Sequence, residues 1–121
     1  MAKLDDILKN LEGLRSAVPD LRGVLLASLE GLPIAHAFAN GEDPKRVAAM
    51  AAAVSGMGKR LTDSLQSGPL TEVCVSGEGG QFFLYAAGSK AVLAVLGPNT
   101  SNAGLIHLEA RQTASEIGKF L

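Results

Sequence analysis

The sequence predicts an α+β fold of the α/β class: a three-layer α/β/α sandwich around a five-stranded antiparallel sheet, with element order α-β-β-α-β-β-β-α. Three observations lead there. Three segments repeat apolar residues at helical spacing, while five shorter apolar runs have strand length. Turns of about two to four residues join the strands within each group, and strands joined so closely are antiparallel. The runs starting at Val24, Phe82 and Ala91 are apolar on both alternating faces. Antiparallel sheets commonly keep one polar face, so helices must cover both sides here, the terminal pair on one and the central helix on the other.

The first helix places Leu4, Ile7, Leu8, Leu11 and Leu14 on one face and Lys3, Asp5, Lys9, Glu12 and Arg15 mostly on the other, and Pro19 ends it. A hairpin follows, Gly23 to Leu29 and Leu32 to Phe38, turning at Glu30-Gly31. Asn40-Gly41-Glu42 leads into the central helix. Leu70 to Ser76 alternates as a half-buried or edge strand does. Gly77-Glu78-Gly79-Gly80 turns it into Gln81 to Ala87, and Gly88-Ser89 is a Gly-first turn into Lys90 to Leu96. The cluster Asn99-Thr100-Ser101-Asn102 offers N-caps to a last helix, with Ile106, Ala110, Ala114, Ile117 and Leu121 on its inner face.

The central helix organises the rest. Asp43 can accept backbone N–H groups as N-cap, and Pro44 suits the first helical position because its missing donor is not needed there. The helix is expected to run to Gln66, with Gly68 in the left-handed C′ conformation and Pro69 unable to continue it. Val47, Met50, Val54, Met57, Leu61 and Leu65 form the expected core-facing stripe. Beside it Ala48, Ala49, Ala52, Ala53, Ser55 and Gly56 make a flank almost without bulk. Gly56 and Gly58 each cost the helix about 1 kcal/mol relative to alanine, so the bare flank is expected to receive another backbone from outside the monomer core.

Composition narrows the function classes. The 121 residues suit one domain, residues 1–121, and 47% hydrophobic content suits a surface that is partly interface. A net charge of −1 leaves no electrostatic footprint for nucleic acid or an anionic membrane, and aromatics at 4% offer little base stacking. The single Cys74 precludes an internal disulfide, and the first residues lack a basic-then-apolar signal pattern, so a cytoplasmic protein is expected. No apolar run approaches the ~20 residues that span a bilayer.

The element order, the hairpin Gly23-Val24-Leu25-Leu26-Ala27-Ser28-Leu29-Glu30-Gly31-Leu32-Pro33-Ile34-Ala35 and the C-terminal Asn102-Ala103-Gly104-Leu105-Ile106-His107-Leu108-Glu109-Ala110-Arg111 together resemble the Roadblock, or dynein light-chain, family. The resemblance covers essentially the whole chain and is strongest to the bacterial and archaeal branch. It implies a homodimer in which the third strands pair edge to edge and the central helices pack side by side. Here the interface would comprise Ala48, Ala49, Ala52, Ala53 and Gly56 with Leu70, Thr71, Val73 and Val75. The resemblance further implies a Ras-like small GTPase as partner, regulated or held in a complex, and no transferable catalytic residue. Lys45, Arg46, Ser55, Lys59, Arg60 and Asp63 are the candidate partner-binding residues on the helix pair.

Other chemistry is weaker. Cys74 with His36 and His107 lacks a hydrolase signature, so Cys74 is expected to be a small buried hydrophobe. These three residues have no short metal-ligand spacing, and neither metal nor cofactor is expected. Ala53 to Arg60 lacks the first glycine and terminal Ser or Thr of a phosphate-binding loop and sits inside a helix. Gly77 to Gly80 precedes a strand rather than a helix and is a turn. An arginine finger could come from Arg22, Arg46, Arg60 or Arg111, each equally readable as a solvated charge. The leading expectation is a non-enzymatic, dimeric GTPase regulator. A scaffold subunit without a switch role is the alternative, and a small-molecule sensor ranks last for want of aromatics to line a cavity.

Overall fold

The computed structural model describes residues 2–39 and 41–121, with only the backbone of Ala2; Met1 and Asn40, the latter in the predicted loop before the central helix, lie outside them. The elements are α1 (Ala2–Ala17), β1 (Gly23–Ser28), β2 (Pro33–Phe38), α2 (Pro44–Ser64), β3 (Glu72–Gly77), β4 (Gly80–Ala87), β5 (Ala91–Gly97) and α3 (Ala103–Gly118). The five strands form one sheet in the order β2-β1-β5-β4-β3, every neighbouring pair antiparallel. This is the predicted fold class, with strand ends moved by one or two residues. β3 starts at Glu72 rather than Leu70. Ala87 pairs with Ala91, so the last turn holds Gly88, Ser89 and Lys90, with Gly88 at φ +68° where glycine avoids the Cβ clash.

Two cores lie on opposite faces of the sheet, for the reason the two-sided apolar strands require. Ile7, Leu11 and Leu14 of α1 and Ile106, Ala110, Ala114 and Ile117 of α3 pack against Val24, Leu26, Phe83, Tyr85 and Leu93. On the other face Val47, Ala48 and Ala51 of α2 pack against Leu25, Ala27, Leu84, Val92 and Ala94. Asn102 is the residue of its cluster that caps α3, its side chain accepting from the Leu105 N–H at 3.0 Å.

The central helix starts as predicted: Asp43 is the N-cap, accepting from the Lys45 N–H at 3.1 Å, with Pro44 next. Its end differs. The helix stops at Ser64, and Gln66 rather than Gly68 takes the left-handed C′ position, at φ 54°. The Ser67 N–H bonds the Thr62 carbonyl at 2.8 Å and the Gln66 N–H that of Asp63 at 3.2 Å, closing the last turn in the Schellman pattern. The left-handed Gly68 is part of the return to β3.

The orientation of α2 corrects the predicted stripe. Val47 is buried and Val54 half-buried, but Met50, Met57, Leu61 and Leu65 are exposed, Met57 at 65% and Leu61 at 60%. The inner face is instead Val47, Ala48 and Ala51, with Gly58 further along. The reason is steric. The helix rides close on the sheet, and a Cβ on Gly58 would already meet Val73 at 3.2 Å and Leu70 at 3.3 Å. Small residues fit in that gap, and bulky ones are turned out of it.

Candidate interaction face

The sheet has two edges, and they differ in what they present. β2 begins with Pro33, which has no N–H to offer, its pairing with β1 is irregular between Leu26 and Ala27, and α1 packs against it. These devices blunt an edge. β3 has neither Pro nor Lys, and its register with β4 is unbroken from Glu72↔Tyr85 to Gly77↔Gly80. A regular row of N–H and C=O groups therefore stands open along β3.

The exposed apolar residues of α2 lie on the same side of the sheet. Val75 pairs with Phe82, which packs into the α2-side core, so Val75 points to that side as well and is 46% exposed. At about 100° per residue, Met50, Met57 and Leu61 fall within about 40° of one another on the helix, roughly opposite Ala52, Gly56, Lys59 and Asp63. Two methionines and two leucines turned to water, on the sheet side to which Val75 of the open edge also points, make a patch of the kind monomers rarely leave uncovered.

The predicted interface residues divide on inspection. Ala48 is fully buried between α2 and the sheet; it belongs to the monomer core and offers no surface. Ala49, Ala53 and Gly56 are exposed, Ala52 is half-buried, and the β1–β2 turn rests on this flank, where a Cβ on Gly31 would meet the Ala49 Cα at 3.3 Å. Leu70 is half-buried over Gly58 and Thr71 is exposed, both ahead of β3 proper, while Val73 is half-buried. Sequence reasoning assigned Met50, Met57, Leu61 and Leu65 to the core. The available signal was that Ala48, Ala51, Ser55 and Gly58 recur at the same helical spacing, giving α2 a second candidate inner face.

Of the polar candidates, Lys45 and Arg46 lie exposed in the first turn of α2, Ser55, Lys59 and Asp63 line a groove on its small-residue flank, and Arg60 stands outside that groove. Of the four arginines considered as a finger, two are engaged within the chain: Arg22 with Glu42 at 3.0 Å, and Arg111 with Glu72 at 2.6 Å. Among the described residues, no carboxylate oxygen lies within 4 Å of Arg46 or Arg60.

Cys74 is exposed, which corrects the expectation of burial: it sits on the far face of the edge strand, its Sγ 3.8 Å from Ser76 Oγ. His36 is on β2 at the other edge of the sheet and His107 is on α3, so the thiol and His36 are not brought together. Among the described residues no group of three His, Cys, Asp or Glu side chains is gathered for a metal, and no helix is long and apolar enough to cross a membrane.

His107 instead joins a polar cluster that ties β3 and β4 to α3. Its Nδ1 lies 2.7 Å from Tyr85 Oη and 3.3 Å from a Glu72 carboxylate oxygen, and Glu72 also accepts from Arg111. Burial, and after it the Glu72 carboxylate, pushes Tyr85 ionisation far above the ordinary 10.0, with Arg111 acting the other way. An unfolded chain ionises this tyrosine at pH about 10 while the folded one keeps it neutral, so its contribution to stability is complete below that pH and falls above it. Tyr85→Phe should therefore lose less of its urea midpoint than wild type between pH about 9.5 and 11. Equal losses would show that Tyr85 ionises freely in the fold.

Comparison with known proteins bears on this geometry. An uncharacterized protein of Methanocaldococcus jannaschii is 30% identical over 97 residues, covering 80% of this chain and 84% of the relative. Two solved structures share the fold: MglB with tetrameric arrangement, at TM-score 0.92, 20% identity and coverage of 99% and 90%, and the gliding protein MglB from Thermus thermophilus, at 0.91, 19% and coverage of 99% and 91%. The family model described as Roadblock/LC7 domain matches residues 7–97, from α1 through β5. On that match, the chain belongs to the Roadblock/LC7 domain family.

Proposed function

We propose that residues 1–121 form a single homodimeric regulatory domain that works in the cytoplasm, binds a Ras-like small GTPase across its paired α2 helices, and supplies no catalytic residue of its own. One observation carries the reading: the apolar stripe Met50, Met57 and Leu61 and the unblunted β3 edge lie on one side and one border of the same sheet. A single two-fold axis beside β3 would cover both, with strand pairing across the axis and helix against helix above it. Membership in the Roadblock/LC7 family supports this arrangement, and so does the resemblance of the chain to the prokaryotic branch. The paired helices then present Lys45, Arg46, Lys59 and Arg60 in two-fold related positions, a charged rim that would steer a partner.

Binding would act by selecting one conformation of the partner's switch loops, which changes its nucleotide cycle without a group donated to the phosphates. The test is a pull-down with Ras-like GTPases encoded near this chain, each loaded with a GTP or a GDP analogue. Retention that differs at least about tenfold between the two nucleotide states is the expected result. Equal retention, or none for any of them, defeats the reading.

A further inference from the structure

Between the outward flank of α2 and the β4–β5 turn lies a groove of about 380 Å³. Leu29, Leu70 and Val92 give it an alkyl lining, while Ala52 and Gly56 on the helix and Gly88 on the turn add little side chain. Lys59 and Asp63 stand at its rim one turn apart. Among the described residues neither has an ion-pair partner within 4 Å. Gly56 adds a separate indication. A Cβ there would meet nothing within 4 Å, so no contact inside the monomer calls for glycine, whereas Gly58 is explained by Leu70 and Val73.

We propose that this groove takes a short extended segment of a partner protein, with a leucine-like side chain over Gly56 and an acidic and a basic residue, two positions apart, for Lys59 and Asp63. The proposal rests on the reading of α2 as the partner-binding helix and says what the partner inserts. Dimensions favour a peptide over a small molecule. From Ala52 to Asp63 the helix advances ~16 Å, the length of about five extended residues. Lys59 and Asp63 are ~6 Å apart along the axis, which matches side chains two residues apart on an extended strand. Gly56 lies ~4.5 Å before Lys59 along the axis, between one and two extended residues; for a segment running parallel to the helix, a spacing of two keeps both side chains on the groove side and gives the order leucine, spacer, acid, spacer, base.

The experiment uses the full chain and a heptapeptide carrying fluorescein on its N-terminus, fluorescein-Ala-Leu-Ala-Glu-Ala-Lys-Ala-amide, beside a version with Glu and Lys exchanged. The first should bind at least about fivefold more tightly, as two rim ion pairs allow. Lys59→Glu combined with Asp63→Lys should reverse that order. Gly56→Leu should weaken binding of the first peptide at least about tenfold without lowering the melting temperature, since leucine is the better helix former. Absence of binding up to about 1 mM peptide, equal affinity for both peptides, or an unreversed order in the charge-exchanged variant each overturns the proposal. Peptide binding with no nucleotide-dependent GTPase retention would remove the GTPase reading and leave the groove, and the converse would remove the groove alone.

Discussion

Met57→Glu together with Leu61→Glu should turn the proposed dimer into a folded monomer. Both side chains are mostly exposed in the protomer, so the charges stay hydrated there and monomer stability should move by no more than about 0.5 kcal/mol per site. In the dimer the same carboxylates would be pressed into an apolar helix contact with no cation to meet them. Burying an unpaired charge costs several kcal/mol, so the dissociation constant should rise about a thousandfold or more. Sedimentation gives the mass, and Cys74 gives an independent reading. It lies exposed near the middle of β3, so a short bis-maleimide should join two wild-type copies through it and leave the double variant unjoined. A wild-type sample that sediments as a monomer at about 10 μM, a concentration at which specific homodimers persist, ends the interface argument. A double variant that stays dimeric moves the interface elsewhere.

Phe83→Ala should cost about 3–5 kcal/mol, a large part of the 5–15 kcal/mol that holds an ordinary domain together. Phe83 is fully buried on β4 among residues of α1 and α3 and meets the His107 ring edge-on at 5.5 Å. Removing it leaves a cavity where the terminal helices and the sheet meet, and neighbours fixed in two layers cannot collapse to fill it. The measurement is urea unfolding in the Met57→Glu, Leu61→Glu background, where dimerisation does not contribute to apparent stability. Leu65→Ala in the same background removes a comparable apolar side chain from an exposed position and should cost less than about 0.5 kcal/mol. Equal costs at the two sites would mean that α2 packs with the face predicted from periodicity alone.

The element order was legible because turn residues and apolar runs are local signals, and the two covered faces followed from strands apolar on both sides. The start of α2 was equally legible, since Asp43 and Pro44 act through their own backbone. Its end was less so: Gln66 accepts the left-handed conformation because its own N–H closes the Asp63 carbonyl and the Ser67 N–H closes that of Thr62, which composition does not announce. Cys74 was misjudged because alternation tells which face of the sheet a residue occupies and not how far the covering helix extends over the edge strand.

By itself the sequence determined the layers, the antiparallel connections and the open strand after the central helix. Only the tertiary structure decided which side of that helix meets the sheet. Two stripes with the same helical period compete on α2, one of large residues and one of small, and periodicity cannot rank them. The spacing between helix and sheet can. At close approach Ala48, Ala51 and Gly58 fit and methionine does not, so Met50, Met57 and Leu61 are left for contact outside the protomer, and the small-residue flank is left open as a groove.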